Sequence, residues 1–249
     1  KITFYPAAIR ITLHMPLFRT PLEISRSPLT ISLSNPVLTI GSCFAGMLGN
    51  RLDKNKFKTS VNPFGTIYNP LSISKLLHYT VYNQLPPQHT YIEYDQIFSN
   101  YDFHSSFSGL RLSDVENKIS ESIGFNHFFL KDCRYLVITY GTDWVYERTD
   151  TNEIVANCHK VPIKKFSKHL LTPEFIVESF EKLYTELKKF NTTINIILTV
   201  SPVRHIKETL ELNSVSKAAL RLACHTLSER YTDVEYFPAY EILMDDLRD

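Results

Sequence analysis

Cysteines and glycine-rich motifs are scarce in this sequence. The chain of 249 residues holds four cysteines, Cys43, Cys133, Cys158 and Cys224, and no two of them form a CxxC pair. This argues against the usual zinc spacings and against the dense cysteine pattern of a small disulfide-linked scaffold. We therefore expect reduced thiols, no metal and a cytoplasmic location. No glycine-rich phosphate-binding loop is present either, so we expect no cofactor.

Excess charge and long apolar runs are also missing. Lysine and arginine number 27 against 26 acidic residues, which leaves a formal net charge of +1. So small a charge provides no field for binding nucleic acid or anionic lipid. No run approaches the roughly 20 apolar residues that span a bilayer, and the first residues lack the layout of a secretory signal. We expect neither a nucleic-acid partner nor a membrane segment.

Length and composition indicate one globular domain. The sequence is 43% hydrophobic and 21% charged, which is ordinary for a soluble protein with a large core. Residues 1–14 precede Met15 and connect to no later pattern. We interpret them as a non-native or upstream extension and residues 15–249 as the domain.

Short apolar runs alternate with helical patterns along the chain. The predicted strands are residues 37–40, 57–61, 134–140, 194–200 and 234–237, and the predicted helices are 44–52, one that starts at 69–70, 115–130, one that starts at 172–174, and 215–230. Such alternation is typical of a parallel sheet covered on both faces. We predict a three-layer α/β/α sandwich with a mainly parallel sheet. Two β-favouring runs around a polar turn predict a β-hairpin insertion at residues 143–161.

Four segments begin where a predicted strand loses its apolar character. They read Gly-Ser-Cys-Phe-Ala after residue 40, Asn-Pro-Phe-Gly-Thr after residue 61, Gly-Thr-Asp-Trp after residue 140 and Ser-Pro-Val-Arg-His after residue 200. In a parallel sheet, ligands bind in the crevice at the carboxyl ends of the strands. We therefore predict a functional site built from these four segments.

Ser42 lies in the predicted turn between the first strand and the first helix. A serine there presents its hydroxyl at the sheet edge, next to a helix N-terminus that stabilises negative charge. The position suits a nucleophile, with the backbone N–H groups of Ser42 and Gly65 and the side-chain amide of Asn157 as oxyanion donors. Serine is equally favourable as a simple helix cap, and the residues alone leave both interpretations open.

The sequence is identified as a member of the GSCFA-domain family, whose name is the motif at residues 41–45. The resemblance runs from Met15 to the last residue through five further motifs: Asn-Pro-Phe-Gly-Thr at 62–66, Gly-Thr at 141–142, Asn-Cys-His-Lys at 157–160, Ser-Pro-Val-Arg-His at 201–205 and Tyr-Phe-Pro-Ala-Tyr-Glu at 236–241. The family resembles the SGNH (GDSL-like) hydrolases. Those enzymes use a serine, a glycine, an asparagine and a histidine on a flavodoxin-like domain. The resemblance therefore implies a flavodoxin-like fold and an acyl-ester hydrolase site.

The first half of that pattern carries over directly. Ser42 matches the nucleophile, and Gly65 matches the glycine after the second strand. The asparagine departs from the pattern, because the Gly-Thr pair at 141–142 is followed by Asp143 where the relatives have Gly-x-Asn-Asp. We take Asn157, on the predicted hairpin, as its substitute.

The general base is the largest departure. The resemblance implies an Asp-x-x-His-Pro element shortly after a Leu-Arg-Asp segment, but the sequence ends at Asp249. We therefore expect very weak or no turnover from this chain. Within it, His205 is the candidate base, and the alternative is a polar loop residue that supports the pocket.

Four further residues are predicted to contact substrate: Asn62, Thr142, His104 and His159. Asn62 and Thr142 belong to the strand-end segments. His104 lies in a polar and aromatic loop that would fold over the site as a lid, and a packing role is the alternative. His159 would contact substrate or orient the neighbouring asparagine, and a surface position at the hairpin end is the alternative.

The predicted function is that of a serine hydrolase acting on an O-acyl ester of a small molecule or a carbohydrate. Cys43 is a rival nucleophile at the helix start, and we expect it to be buried and inert. The alternative function is a non-catalytic module that binds a carbohydrate or an acylated metabolite.

Overall fold

The computed structural model describes residues 22–24, 27 and 29–247. The predicted extension at residues 1–14 and Met15 lie outside the described residues. The strands are β1 (Val37–Gly41), β2 (Thr59–Val61), β3 (Tyr91–Tyr94), β4 (Ile97–Asn100), β5 (Tyr135–Tyr140), β6 (Trp144–Arg148), β7 (Ile154–Val155), β8 (Phe166–Leu170), β9 (Asn195–Val200) and β10 (Val234–Tyr236). The helices are α1 (Cys43–Lys54), α2 (Pro70–Tyr82), α3 (Leu112–Asp132), α4 (Pro173–Phe190), α5 (Leu210–Arg230) and α6 (Ala239–Glu241), and a π-helical turn follows over Ile242–Asp246.

The central sheet has the order β10-β9-β5-β1-β2, and all neighbouring strands are parallel. Counting these strands along the chain gives the order 2-1-3-4-5 of flavodoxin-like folds. The predicted three-layer α/β/α sandwich with a mainly parallel sheet is therefore confirmed.

Side chains alternate between the two faces of this sheet, as the period of a strand requires. On one face, Leu38, Ile40, Leu136 and Ile138 belong to a large core completed by α2, α3, α4 and α5. On the other face, Val37, Tyr135 and Val137 pack with Leu48 and Leu52 of α1. Strands buried on both faces explain the continuous apolar runs in the sequence.

The predicted starts of α2 and α4 are confirmed by their caps, whereas α3 begins at Leu112, earlier than predicted, and has no side-chain cap. The Asn69 side chain accepts a hydrogen bond from Ser72 N–H at 2.8 Å at the start of α2, and the Thr172 hydroxyl accepts from Phe175 N–H at 3.3 Å at the start of α4. Helix α5 begins at Leu210, earlier than predicted, because Thr209 caps it. Among the described residues, no helix combines the length and the apolarity needed to cross a membrane.

The insertion after β5 is larger than the predicted hairpin. Strands β6 and β7 form that hairpin, and β8 joins it to give an antiparallel sheet in the order β7-β6-β8. A second hairpin, β3-β4, was not predicted at all. Its turn residues Asp95 and Gln96 have φ values of 52° and 60°, a conformation that usually calls for asparagine or glycine.

Candidate active site

The candidate site lies at the carboxyl ends of β1 and β5, where the strand order reverses. From β1 the chain enters α1 on one face of the sheet, whereas the helices after β5 cover the other face. Ligands of flavodoxin-like sheets bind at this switch point. Ser42 directly follows β1 and Gly141 directly follows β5, so two of the predicted segments meet there.

Ser42 is the N-cap residue of α1. Its Oγ accepts a hydrogen bond from Phe44 N–H at 3.3 Å, and its own N–H donates to the Thr139 carbonyl at 3.0 Å. The residue is 0% exposed. The hydroxyl thus lies at a helix N-terminus, where the helix dipole favours an anion. In this structure it acts as the cap and is covered from solvent.

The loop between β2 and α2 provides this cover. Ile67 N–H donates to the Gly41 carbonyl at 2.9 Å, and Gly141 N–H donates to the Tyr68 carbonyl at 2.8 Å. A Cβ on Gly141 would lie 2.8 Å from Cδ1 of Tyr68 and 3.3 Å from Cβ of Ser42. The Tyr68 ring and the Ser42 side chain therefore both lie against Gly141. Tyr68 is itself 39% exposed, so its side chain reaches from Gly141 to the protein surface.

The same loop brings Asn62 and Gly65 towards Ser42. Asn62 Nδ2 donates to the Ser42 carbonyl at 3.2 Å, and Gly65 N–H donates to the Asn62 carbonyl at 2.8 Å. Gly65 has a φ of 78°, and a Cβ there would lie 2.4 Å from Cβ of His104. His104 packs on this glycine while its Nδ1 accepts from Ser106 N–H at 3.1 Å. The packing role considered for His104 is therefore present in the structure.

The three predicted oxyanion donors do not converge. The N–H groups of Ser42 and Gly65 already donate to carbonyls of the chain. The Asn157 side-chain oxygen accepts from His159 N–H at 2.9 Å, and both residues line a separate cavity of about 390 Å³. His159 Nε2 hydrogen-bonds to the Asn100 carbonyl, and burial lowers the pKa of His159. Asn157 does not reach Ser42 because the inserted sheet directs it towards the β3-β4 hairpin.

His205 is brought to the switch point. Its ring packs edge-on against Tyr68, with 5.1 Å between ring centroids. Burial lowers the pKa of His205, and the neighbouring Lys217 ammonium lowers it further. Its Nε2 is buried and has no hydrogen-bond partner among the described residues. A neutral imidazole with an unused nitrogen is able to accept a proton.

A cavity of about 230 Å³ opens beside Tyr68 and His205. Thr142, Trp144 and Lys168 also line it. Thr142 Oγ1 accepts from Trp144 N–H at 3.2 Å, and the Lys168 ammonium lies 4.5 Å from the centroid of the Trp144 ring. The predicted residues Thr142 and His205 thus share one pocket, which is lined by three Tyr and Trp rings and by charged side chains.

Lys217 is a site residue that the sequence reasoning missed. The side chain is 2% exposed, and its Nζ donates to the carbonyls of Gly141 at 2.6 Å and Ser201 at 2.8 Å. Burial lowers the pKa of Lys217 to about 8. A helical spacing with Leu220 and Cys224, which are both buried, was the available signal, because a lysine on the apolar stripe of a helix lies in the core.

The family model described as the GSCFA family matches residues 36–249. The chain belongs to the GSCFA family. The family motif Gly-Ser-Cys-Phe-Ala is therefore the turn that carries Ser42 to the switch point. No curated protein and no solved structure matches the chain, so the likeness of this GSCFA protein to SGNH hydrolases stays a prediction.

Proposed function

We propose that this GSCFA protein transfers or hydrolyses the acyl group of an ester, with Ser42 as the nucleophile. The observation that carries the proposal is the position of the Ser42 hydroxyl, at the N-terminus of α1 and at the switch point of the sheet. A helix N-terminus lowers the energy of an oxygen that gains negative charge during attack. Ligands of this sheet topology bind at the same place.

The proposed proton acceptor is His205. It lies against Tyr68, which packs on Gly141 as Ser42 does, and its Nε2 is unpartnered among the described residues. Because burial lowers the pKa of His205, its ring is neutral near pH 7 and is ready to take the Ser42 proton. It would then return that proton to the departing alcohol.

The alcohol part of the ester is proposed to occupy the aromatic pocket beside His205. Tyr68, Trp144 and Tyr146 supply ring faces, and Thr142 and Lys168 supply polar groups. Apolar walls with a few placed polar groups are typical of small-ligand sites. Such a pocket suits a small molecule or a sugar. The near-neutral net charge and the four free cysteines support a cytoplasmic substrate that is neither nucleic acid nor lipid surface.

We propose that the Tyr68 side chain controls access to Ser42. We expect Tyr68→Ala to increase the rate at which Ser42 reacts with a small fluorophosphonate several-fold, because the ring that lies against Gly141, on which Ser42 also packs, is removed. The measurement is a time course of labelling by mass spectrometry. Tyr82→Ala is the control, because Tyr82 is exposed at the end of α2. An unchanged or slower rate in Tyr68→Ala would contradict the covering role.

The decisive experiment is covalent labelling of the full chain with a fluorophosphonate. We expect the adduct on the peptide that contains Ser42, and its complete loss in Ser42→Ala. Ser72→Ala is the matched control, because Ser72 is also buried at the start of a helix. Peptide sequencing distinguishes Ser42 from the adjacent Cys43, which is half-buried.

A second candidate function is ligand binding without chemistry. It is favoured by one set of observations: Ser42 is 0% exposed, and the N–H groups of Ser42 and Gly65 already have acceptors. In that case the aromatic pocket holds a carbohydrate or an acylated metabolite. Absence of labelling in a chain with a cooperative unfolding transition would favour this function over hydrolysis.

A further inference from the structure

Lys217 reaches the switch point from α5, on the face of the sheet opposite α1. Its Nζ donates to the carbonyls of Gly141 and Ser201, the residues that follow β5 and β9. An ammonium group carries three N–H donors. Two of them are used by these carbonyls, and the third has no acceptor among the described residues.

Among the described residues, no acidic side chain forms an ion pair with the Lys217 ammonium group. The titratable groups that face it are Cys43 on α1, Asp143 after β5 and His205 after β9. Among the described residues, none of the three is hydrogen-bonded to Nζ. A buried cation without a bonded anion is costly. Such a cost is typical of a site that receives negative charge during its function.

Gly141 links Lys217 to Ser42. Its carbonyl accepts the 2.6 Å hydrogen bond from Lys217, and its α-carbon faces Cβ of Ser42, since a Cβ on Gly141 would lie 3.3 Å from that atom. One residue with no side chain therefore separates the ammonium group from the proposed nucleophile. Charge that develops next to Ser42 is felt strongly at Lys217, because the interior has a low dielectric.

We propose that the Lys217 ammonium group stabilises the oxyanion that forms when Ser42 attacks an ester, a proposal that rests on the function proposed above. The N–H groups of Ser42 and Gly65 already have acceptors. Lys217 supplies the missing donor together with a full positive charge. Donors aimed at developing charge in a buried site are among the largest contributions to catalysis.

The proposed reaction needs water as its only reactant besides the ester. A bond forms between Ser42 Oγ and the ester carbonyl carbon, the hydroxyl proton passes to His205, and the carbonyl π pair moves onto the oxygen. The third N–H of Lys217 binds that oxygen. When the C=O bond re-forms, the bond to the alcohol breaks, and the alcohol leaves with the proton held by His205. Water then attacks the acyl group in the same manner and restores Ser42.

Three variants test the proposal through the acylation of Ser42 by 4-nitrophenyl acetate, followed by mass spectrometry of its peptide. Lys217→Gln keeps two N–H donors for the carbonyls and removes the charge, and we expect a loss of about 10² to 10³ in acylation rate. Lys217→Arg keeps the charge, and we expect a smaller loss. Lys164→Gln is the control, because Lys164 is exposed, and we expect no change. Unfolding curves show which variants fold.

The pH profile separates this role from a structural one. The cation is the active form, and burial lowers the pKa of Lys217 to about 8. We therefore expect the acylation rate of the wild type to fall as the pH rises through that value. We expect the acylation rate of Lys217→Arg to stay constant up to about pH 10, because arginine stays protonated there. This comparison remains available if Lys217→Gln fails to fold.

Each contrary outcome has a distinct meaning. A rate that rises through the same pH range would make Lys217 a proton acceptor and overturn the proposal. Equal acylation of Lys217→Gln and wild type, while Ser42→Ala is inert, would leave Lys217 a structural role only. Acylation of Ser42→Ala at the wild-type rate would refute the proposed function itself, and this inference with it.

Discussion

Gly41→Ala is expected to prevent folding or to destabilise the chain by about 3 to 6 kcal/mol. A Cβ at this position would lie 2.1 Å from the Thr139 carbonyl oxygen, and Gly41 has a φ of 135°, which side-chain-bearing residues rarely adopt. The backbone cannot shift to relieve this overlap, because Gly41 and Thr139 pair within the central sheet. Urea unfolding followed by circular dichroism measures the loss.

Gly124→Ala is the matched control for that experiment. Gly124 lies inside α3, and the nearest atom to an added Cβ is Asn83 Oδ1 at 3.9 Å. Alanine is better than glycine in a helix interior by up to about 1 kcal/mol, so this variant should be slightly more stable than the wild type. If Gly41→Ala stayed within about 1 kcal/mol of wild type, the described contact between β1 and β5 would be wrong.

The parallel core could be predicted because its signals are local. Strand β5 is apolar apart from Thr139, and Thr172 with Pro173 indicates the start of α4. Such segments need only burial on both faces or a cap, and both are visible in a short stretch of sequence. The position of Ser42 at the end of β1 followed from the same reasoning.

The cover over Ser42 could not be predicted because it depends on contacts between distant segments. The hydrogen bonds from Ile67 to Gly41 and from Gly141 to Tyr68 join parts of the chain that no periodicity connects. The sequence predicts Asn157, on the hairpin, as the substitute for the asparagine that the family resemblance implies. In the structure, the hairpin gains β8 as a third strand and carries Asn157 to a different cavity.

The β3-β4 hairpin and Lys217 were missed for opposite reasons. The hairpin has a turn of Asp95 and Gln96, which lacks the glycine or asparagine that usually marks such a turn. Lys217 has a sequence signal, its place on the buried stripe of α5, but a lysine is normally assigned to the surface. Its burial becomes reasonable once the carbonyls of Gly141 and Ser201 are seen to accept its hydrogen bonds.

Asn191→Asp is expected to destabilise the chain by about 3 to 5 kcal/mol at neutral pH. Asn191 follows α4 and is buried. Its Nδ2 donates to the Leu130 carbonyl at 3.0 Å and to the Cys133 carbonyl at 2.7 Å, while its Oδ1 accepts from Thr193 N–H at 3.0 Å. The aspartate keeps the acceptor but directs a charged oxygen at two carbonyl oxygens. Both carbonyls then lose their donor, and a buried charge is left unpaired.

The same variant has a pH dependence of known sign. The folded state favours the protonated form of the new carboxyl group, so its folded pKa lies above the value of about 3.9 in an unfolded chain. The folded state then binds more protons than the unfolded state, and the penalty relative to wild type shrinks as the pH falls through the folded pKa. Paired urea titrations at about pH 7.5 and pH 5 measure this difference. Asn152→Asp is the control, because Asn152 is exposed in the loop between β6 and β7, and its effect should stay within about 0.5 kcal/mol at both pH values. A penalty for Asn191→Asp that did not depend on pH would mean that the carboxylate reaches water, and that the Asn191 side chain does not bridge the end of α3 to the strand that follows α4.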